Sequence, residues 1–136
     1  MSAWTVLDAS AVLAFLQAKP GHDTVRLALQ NERCVVTAVN QAEIIAKATD
    51  KGVEPVALKD ILAELAYTVV DVTADDGANA GWLRNHTRSL GLSLGDRICL
   101  ASAQRLKAKV LTADRLWLGI AGALGLEMYC IRPDER

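Results

Sequence analysis

Histidine, paired cysteines and long apolar runs are scarce or missing in this chain. Its three cysteines, Cys34, Cys99 and Cys130, are far apart and none has C-x-x-C spacing, so neither a zinc site nor a disulfide framework is indicated. No apolar run approaches the roughly 18 residues of a membrane span. The N-terminus lacks a basic segment followed by a long apolar one, so we expect no signal peptide. A reduced cytoplasmic protein is the expectation.

What the chain does have is apolar bulk and an uneven distribution of charge. Hydrophobic residues make up 51% of its 136 residues, which predicts one domain over 1–136 with a substantial core. The net charge is −1. Residues 1–83 hold 6 Lys and Arg against 11 Asp and Glu, whereas residues 84–136 hold 9 against 5. Such asymmetry indicates a side that faces a polyanion, or charges clustered by chance on solvated helix faces.

Helical segments separate five short apolar runs along the chain. The runs are near-continuous and do not alternate with polar residues, which is typical of parallel strands buried on both faces. We therefore predict an α/β fold of three layers, with helices flanking a central parallel sheet of about five strands. The strands are expected at 3–8, 33–37, 67–72, 109–113 and 127–131. The helices are expected at 10–17, 22–31, 40–52, 55–66, 75–91, 93–108 and 114–125, the third of them capped by Thr37.

Four acidic residues occupy element ends that share one edge of such a sheet. Asp8 ends the first strand, and Asp114 follows the fourth in "VLTAD". Asp96 lies in the first turn of "SLGDRICLA", and Glu43 lies near the start of the helix after the second strand. Because ligands of open parallel sheets bind beyond the carboxyl ends of the strands, these acids are expected to converge.

A single acid of this kind is most often a helix cap or a residue favoured by the helix dipole. Four together repel one another unless a counter-charge is present, and no lysine lies within the four motifs. Carboxylate oxygens suit hard divalent cations, and no histidine-rich alternative exists in the sequence. The pattern therefore predicts a site for Mg²⁺, with Mn²⁺ as the alternative.

The four motifs, taken in order, resemble those of the PIN domain over essentially the whole chain. "LDASAVLA" resembles the first motif, with Asp8 as metal ligand and Ser10 in support, and "NQAEI" resembles the second, with Glu43. "LSLGDRICLA" followed by "VLTADRLW" resembles the third and fourth motifs of VapC-type toxins from bacterial toxin–antitoxin pairs. These two motifs supply Asp96, Asp114 and the accompanying Thr112.

The resemblance implies a PIN-like fold and a metal-dependent endoribonuclease that hydrolyses RNA with a metal-activated water. Asp8, Glu43 and Asp96 would hold the first metal, and Asp114 would bind through water or assist a second one. Some relatives carry a further acid after the fourth motif, but Leu116 and Trp117 occupy that region here. The resemblance also implies a small VapB-like antitoxin and a homodimer.

An acidic pocket repels RNA, so basic residues must guide the phosphate backbone. The candidates are the arginines around the third and fourth motifs, namely Arg84, Arg88, Arg97 and Arg115. Each of them is equally well explained as a solvated charge on a helix face.

Other classes of protein fit the sequence less well. A haloacid dehalogenase-type phosphotransferase expects a second Asp two residues after Asp8, where Ser10 stands. A receiver domain expects a lysine after a late strand, whereas "KVLTAD" has its lysine before the strand. A dinucleotide-binding module needs a glycine-rich first turn, which "DASAV" lacks. The non-enzyme alternative is a catalytically inactive PIN-like module that binds RNA or protein.

Overall fold

Five parallel strands form the centre of the protein. The computed structural model describes residues 3–133, so both ends of the expected domain, 1–2 and 134–136, lie outside the described residues. The strands are β1 (Trp4–Leu7), β2 (Arg33–Thr37), β3 (Tyr67–Val70), β4 (Lys109–Thr112) and β5 (Met128–Cys130). Their order in the sheet is β3-β2-β1-β4-β5, and every neighbouring pair is parallel. The predicted parallel sheet of five strands is confirmed.

Helices connect the strands and cover the sheet. They are α1 (Ala9–Leu16), α2 (His22–Asn31), α3 (Ala38–Asp50), α4 (Pro55–Glu64), α5 (Ala74–Thr87), α6 (Leu94–Leu106) and α7 (Ala121–Leu124). None of the helices within residues 3–133 has the length and apolarity to cross a membrane.

Two separate cores lie on the two faces of the sheet, because successive residues of a strand point to opposite sides. One core packs α1, α2 and α3 against the sheet, and the other packs α5, α6 and α7 against it. The central strands contribute Leu7, Val36 and Leu111 to the first core and Val6, Val35 and Val110 to the second. The three-layer α/β/α arrangement predicted from the sequence is therefore confirmed.

The segment after β4 differs from the single helix expected over 114–125. A 3-10 helix runs over Arg115–Ile120 and is followed by the one-turn helix α7. The Asp114 carboxylate accepts a hydrogen bond from the Leu116 backbone N–H at 3.0 Å, which favours the tighter turn. The glycines of this segment lower its α-helical propensity further.

The expected helix over 75–91 is also shorter than predicted. α5 ends at Thr87, a 3-10 turn follows over Arg88–Leu90, and Gly91 ends the segment with a φ of 64°. A positive φ of this size is the left-handed conformation that glycine adopts without steric cost.

An ion pair between buried Asp76 and exposed Arg105 joins the start of α5 to the end of α6. Asp76 is fully buried, and its two carboxylate oxygens accept hydrogen bonds from Arg105 Nε and Nη2 at 2.9 and 3.0 Å. Asp76 also accepts from the Thr73 backbone N–H and the Ser102 hydroxyl, both at 3.1 Å. Burial opposes ionisation, but these donors outweigh it and hold the pKa of Asp76 below its usual value.

We predict that Asp76→Asn lowers the free energy of unfolding by about 2–3 kcal/mol at pH 7, because it removes the charge from a buried carboxylate that accepts four hydrogen bonds. The loss should shrink as the pH falls below about 3.8, since the stabilisation from a lowered pKa disappears once Asp76 is protonated. Urea denaturation at several pH values measures it. The neighbouring exposed acid provides the control, and Asp75→Asn should change stability little. Equal stability of the two variants would contradict the prediction.

Candidate metal centre

Asp8 lies at the end of β1 and is 3% exposed. It caps α1, because its Oδ1 accepts a hydrogen bond from the Ala11 backbone N–H at 2.8 Å. Two hydroxyls donate to the same carboxylate: Ser10 Oγ at 2.7 Å and Thr112 Oγ1 at 2.6 Å. The carboxylate is thus fixed in orientation by three donors.

The two hydroxyls also hold the chain that leaves β4. Ser10 Oγ accepts from the Ala113 backbone N–H at 2.9 Å, and Thr112 Oγ1 accepts from the Asp114 backbone N–H at 3.0 Å. Because these N–H groups occupy lone pairs of the hydroxyl oxygens, the hydroxyl protons are free to point at Asp8. Ser10 and Thr112 therefore join the end of β1 to the end of β4 through a single carboxylate.

Burial sets the protonation of Asp8. It raises the pKa from 3.8 to about 6, although the donors from Thr112, Ser10 and Ala11 act in the opposite direction. The negative charge of Asp96 contributes to this rise, but less than burial does. A cation beside this carboxylate would relieve both the burial penalty and the repulsion.

Glu43 reaches the same region from the second turn of α3. Asn40, which is 2% exposed, donates from Nδ2 to Glu43 Oε1 at 2.8 Å and to the Gly95 carbonyl at 3.1 Å. Asn40 Oδ1 in turn accepts from the Thr37 hydroxyl at 2.6 Å. The sequence analysis missed Asn40, although its position three residues before Glu43 on a helix was a usable signal.

Gly95 brings α6 close to the Glu43 carboxylate. A Cβ atom at position 95 would lie 2.6 Å from Glu43 Cδ, a distance that real Cβ atoms do not show. Only glycine therefore permits Glu43 to occupy its position against α6. This residue too was missed, since its role depends on a contact across 52 positions of sequence rather than on a local pattern.

Asp96 lies one residue further on and is half-buried. It is the third residue of α6 and completes a capping box with Ser93, whose backbone N–H donates to Asp96 Oδ2 at 2.9 Å. Burial, and then the charges of Asp8, Asp96 and Glu43, raise the pKa of Cys99 well above its usual value. The charges of these three acids therefore all act on one buried thiol.

Asp114 takes a more peripheral position. It is exposed, and its Oδ1 caps the 3-10 helix that follows it. Its backbone N–H is tied to Thr112, which in turn contacts Asp8. Asp114 is therefore connected to Asp8 through Thr112.

The candidate ligands are carboxylate oxygens, which hard divalent cations prefer. One of them belongs to Asp8, which is buried and has a raised pKa, so a cation there would stabilise its charged form. Within residues 3–133, no three acidic, histidine or cysteine side chains already stand close enough together to hold one metal ion.

The four predicted RNA-guiding arginines occupy different environments. Arg84 and Arg88 are exposed at the end of α5 and in the turn after it. Arg97 is half-buried and donates from Nη1 to the Ala80 carbonyl at 2.9 Å, so it packs against α5. Arg115 donates from Nη2 to the Arg132 and Pro133 carbonyls. Their role in RNA binding stays a prediction.

Comparison with known proteins now identifies the family. Residues 5–122 match the family model of the PIN domain. The chain therefore belongs to the PIN domain family. No curated protein sequence matches it significantly.

Solved structures share the fold at low sequence identity. A chain of a toxin–antitoxin complex from Klebsiella pneumoniae is 15% identical with a TM-score of 0.73, over 96% of this chain and 99% of that one. A chain of VapBC2 from Rickettsia felis, bound to a promoter DNA fragment, is 16% identical with a TM-score of 0.69, over 93% and 98%. A chain of VapBC-5 from Mycobacterium tuberculosis is 20% identical with a TM-score of 0.62, over 94% and 98%. The expected PIN-like fold is thereby confirmed.

We predict that Gly95→Ala displaces the Glu43 carboxylate while preserving the fold. The added methyl group meets only the end of a flexible side chain, and alanine favours a helix over glycine by up to about 1 kcal/mol. Unfolding in chelator should therefore change little, whereas Mg²⁺ affinity, measured by calorimetry, should fall. Gly77→Ala on α5, where an added Cβ meets nothing within 4 Å, is the matched control. Mg²⁺ affinity equal to wild type would show that Glu43 does not need its present position.

The raised pKa of Asp8 predicts a pH dependence of the metal-free protein. Between pH about 4 and about 6, folded Asp8 binds a proton that the unfolded chain has released, so rising pH destabilises the fold. The difference in unfolding free energy between Asp8→Asn and wild type should therefore grow by about 3 kcal/mol from pH 4 to pH 7 in chelator. Asp60→Asn, an exposed acid on α4, should show no such growth. A difference that stays constant with pH would contradict the raised pKa.

Proposed function

We propose that this protein is a metal-dependent endoribonuclease that acts in the cytoplasm as the toxin of a toxin–antitoxin pair. In this proposal residues 1–136 form one PIN domain, which pairs with a second copy and is restrained by a small VapB-like antitoxin. The observation that carries it is the set of hydrogen bonds that hold two of the acids: Ser10 and Thr112 donate to Asp8, and Asn40 joins Glu43 to Gly95, the residue before Asp96.

Each residue of the site has a distinct task in RNA hydrolysis. Asp8, Glu43 and Asp96 would hold Mg²⁺ or Mn²⁺, and Asp114 would assist through water or at a second ion. When bound, such a cation would supply an activated water and stabilisation of the negative charge on the phosphate. The protein contributes rigid orientation: two hydroxyls hold Asp8, and Asn40 holds Glu43.

Water is the proposed nucleophile because the thiol and hydroxyl groups described at the site are not available to attack a phosphate. The Cys99 thiol, on which the charges of the acids act, is buried and neutral because its pKa is raised, so it does not attack a phosphate. The hydroxyls of Ser10 and Thr112 donate to Asp8 and accept backbone N–H groups, which leaves them engaged in supporting the carboxylate.

The proposed antitoxin partner is supported by the complexes in which proteins of similar fold have been solved. The similar structures include complexes named as toxin–antitoxin and VapBC assemblies from Klebsiella, Rickettsia and Mycobacterium. They are similar to this chain in fold, and we extend their toxin–antitoxin context to it as a proposal. The alternative is an inactive PIN-like module that binds RNA or protein. The hydrogen bonds that hold the carboxylates of Asp8 and Glu43 favour the enzyme.

We predict that Asp8→Asn, Glu43→Gln and Asp96→Asn each reduce Mg²⁺-dependent RNA cleavage by more than about 100-fold. The basis is that even residues which only support metal ligands cost about 10–100-fold when replaced. Cleavage of total cellular RNA by purified protein measures this, and circular dichroism checks the fold. Asp60→Asn is the control and should cleave like wild type.

Growth provides a second readout of the same variants. Expression of the wild type alone should arrest growth, co-expression with the adjacent small gene should restore it, and Asp96→Asn should be harmless. Wild-type protein that is loaded with Mg²⁺ yet leaves RNA intact would refute the enzyme. Toxicity that persists in Asp96→Asn would favour the binding module.

A further inference from the structure

A cleft of about 580 Å³ opens beside Asp8 on the face of the sheet covered by α1 and α3. Its rim is strongly cationic. The polar and charged residues that line it are Ser10, Gln17, Lys19, Lys47, Asp50, Lys51 and Arg132. One carboxylate therefore faces four cations, in a chain whose overall charge is −1.

The cations come from separate parts of the chain. Lys47 lies in the last turn of α3, Lys51 caps that helix, and Lys19 follows α1. All three are exposed, and none of their ammonium groups forms an ion pair within residues 3–133. The helix dipole explains why a single cation lies at the end of one helix. It does not explain why the ends of two helices and Arg132 line the same open cleft.

The cleft is continuous with the acidic centre. Ser10 and Ala113 both line it. The same Ser10 hydroxyl donates to Asp8 at 2.7 Å and accepts from the Ala113 backbone N–H at 2.9 Å. An anionic polymer that passes through the cleft would therefore arrive directly at the carboxylates proposed to hold the metal.

The lining favours a nucleic acid backbone over a protein segment. Lysine is depleted in protein–protein interfaces, where aromatic anchors dominate. Lysine is, in contrast, a main source of phosphate contacts, which position a nucleic acid without reading its sequence. The residues that line this cleft include no aromatic side chain.

We propose that Lys19, Lys47 and Lys51 bind the sugar–phosphate backbone of the RNA on one side of the scissile bond. The inference rests on the proposed ribonuclease function, because it names the path of that enzyme's substrate. It differs from a path along Arg84 and Arg88, which belong to α5 and the turn after it, on the opposite face of the sheet.

The first test is the salt dependence of binding. Fluorescein-labelled oligouridylate is titrated with the full chain in chelator at several salt concentrations. The triple variant Lys19→Gln/Lys47→Gln/Lys51→Gln should reduce the slope of log affinity against log salt by about 2, since each lost contact to single-stranded RNA removes about 0.7. For a matched pair of exposed helical lysines, Lys47→Gln should lower the slope and Lys59→Gln on α4 should not.

The second test uses wild-type protein and so does not depend on how a variant folds. Acetylation of lysines is followed by mass spectrometry with and without oligouridylate. RNA should protect Lys19, Lys47 and Lys51 but leave Lys59 equally reactive.

Several results would overturn the assignment. These are an absence of RNA binding, equal reactivity of all four lysines, or a slope that changes only in Arg84→Ala/Arg88→Ala. Protection by a co-purified antitoxin but not by RNA would assign the cleft to a protein partner instead.

The two proposals fail separately. If cleavage is lost in Asp96→Asn but unaffected in the lysine variant, the ribonuclease proposal stands and the proposed RNA path is wrong. If RNA protects the lysines but the protein never cleaves RNA, the RNA path stands and the ribonuclease proposal is wrong.

Discussion

A carboxylate buried at the centre of a parallel sheet is the constraint on which the rest of the site depends. Asp8 ends the middle strand, where burial alone makes its charge unfavourable. The fold compensates with one backbone N–H and two hydroxyls, and one of these hydroxyls comes from the neighbouring strand β4. The pairing of β1 with β4 therefore also fixes the orientation of Asp8, because it brings the Thr112 hydroxyl to the carboxylate.

The positions of the acids depend on contacts with neighbouring residues that are not themselves acidic. Asn40 bridges Glu43 to the first turn of α6, and Gly95 allows the two helices to approach each other at that point. The packing of α3 against α6 therefore sets the distance between Glu43 and the other acids. Because α3 and α6 pack against opposite faces of the sheet, the site lies where the two layers of helices meet beyond the strand ends.

Apolar runs were enough to predict the sheet and its layers, since a strand buried on both faces has few alternatives. The same reasoning failed over 114–125, where the cap at Asp114 and several glycines favour a 3-10 helix over the apolar periodicity. Asn40 escaped detection because a polar residue on a helix usually indicates solvent, and its burial follows only from tertiary contacts.

The cationic cleft was missed for a different reason. Its lysines belong to the part of the chain with the acidic balance, and Lys19 is separated in sequence from Lys47 and Lys51. A count of charge along the chain directs attention to the arginines after residue 84, whereas the cleft arises from where α1 and α3 end. The PIN family motifs predicted the acids, but they carry no information about the surface beside them.

The hydrogen bond between Thr112 and Asp8 joins residues 104 positions apart. A chain still being synthesised has Asp8, Glu43 and Asp96 before it has β4, and at that stage Asp8 lacks both the neighbouring strand and the Thr112 hydroxyl. The hydrogen bonds that orient Asp8 are therefore complete only once β4 has joined the sheet, after most of the chain has been synthesised.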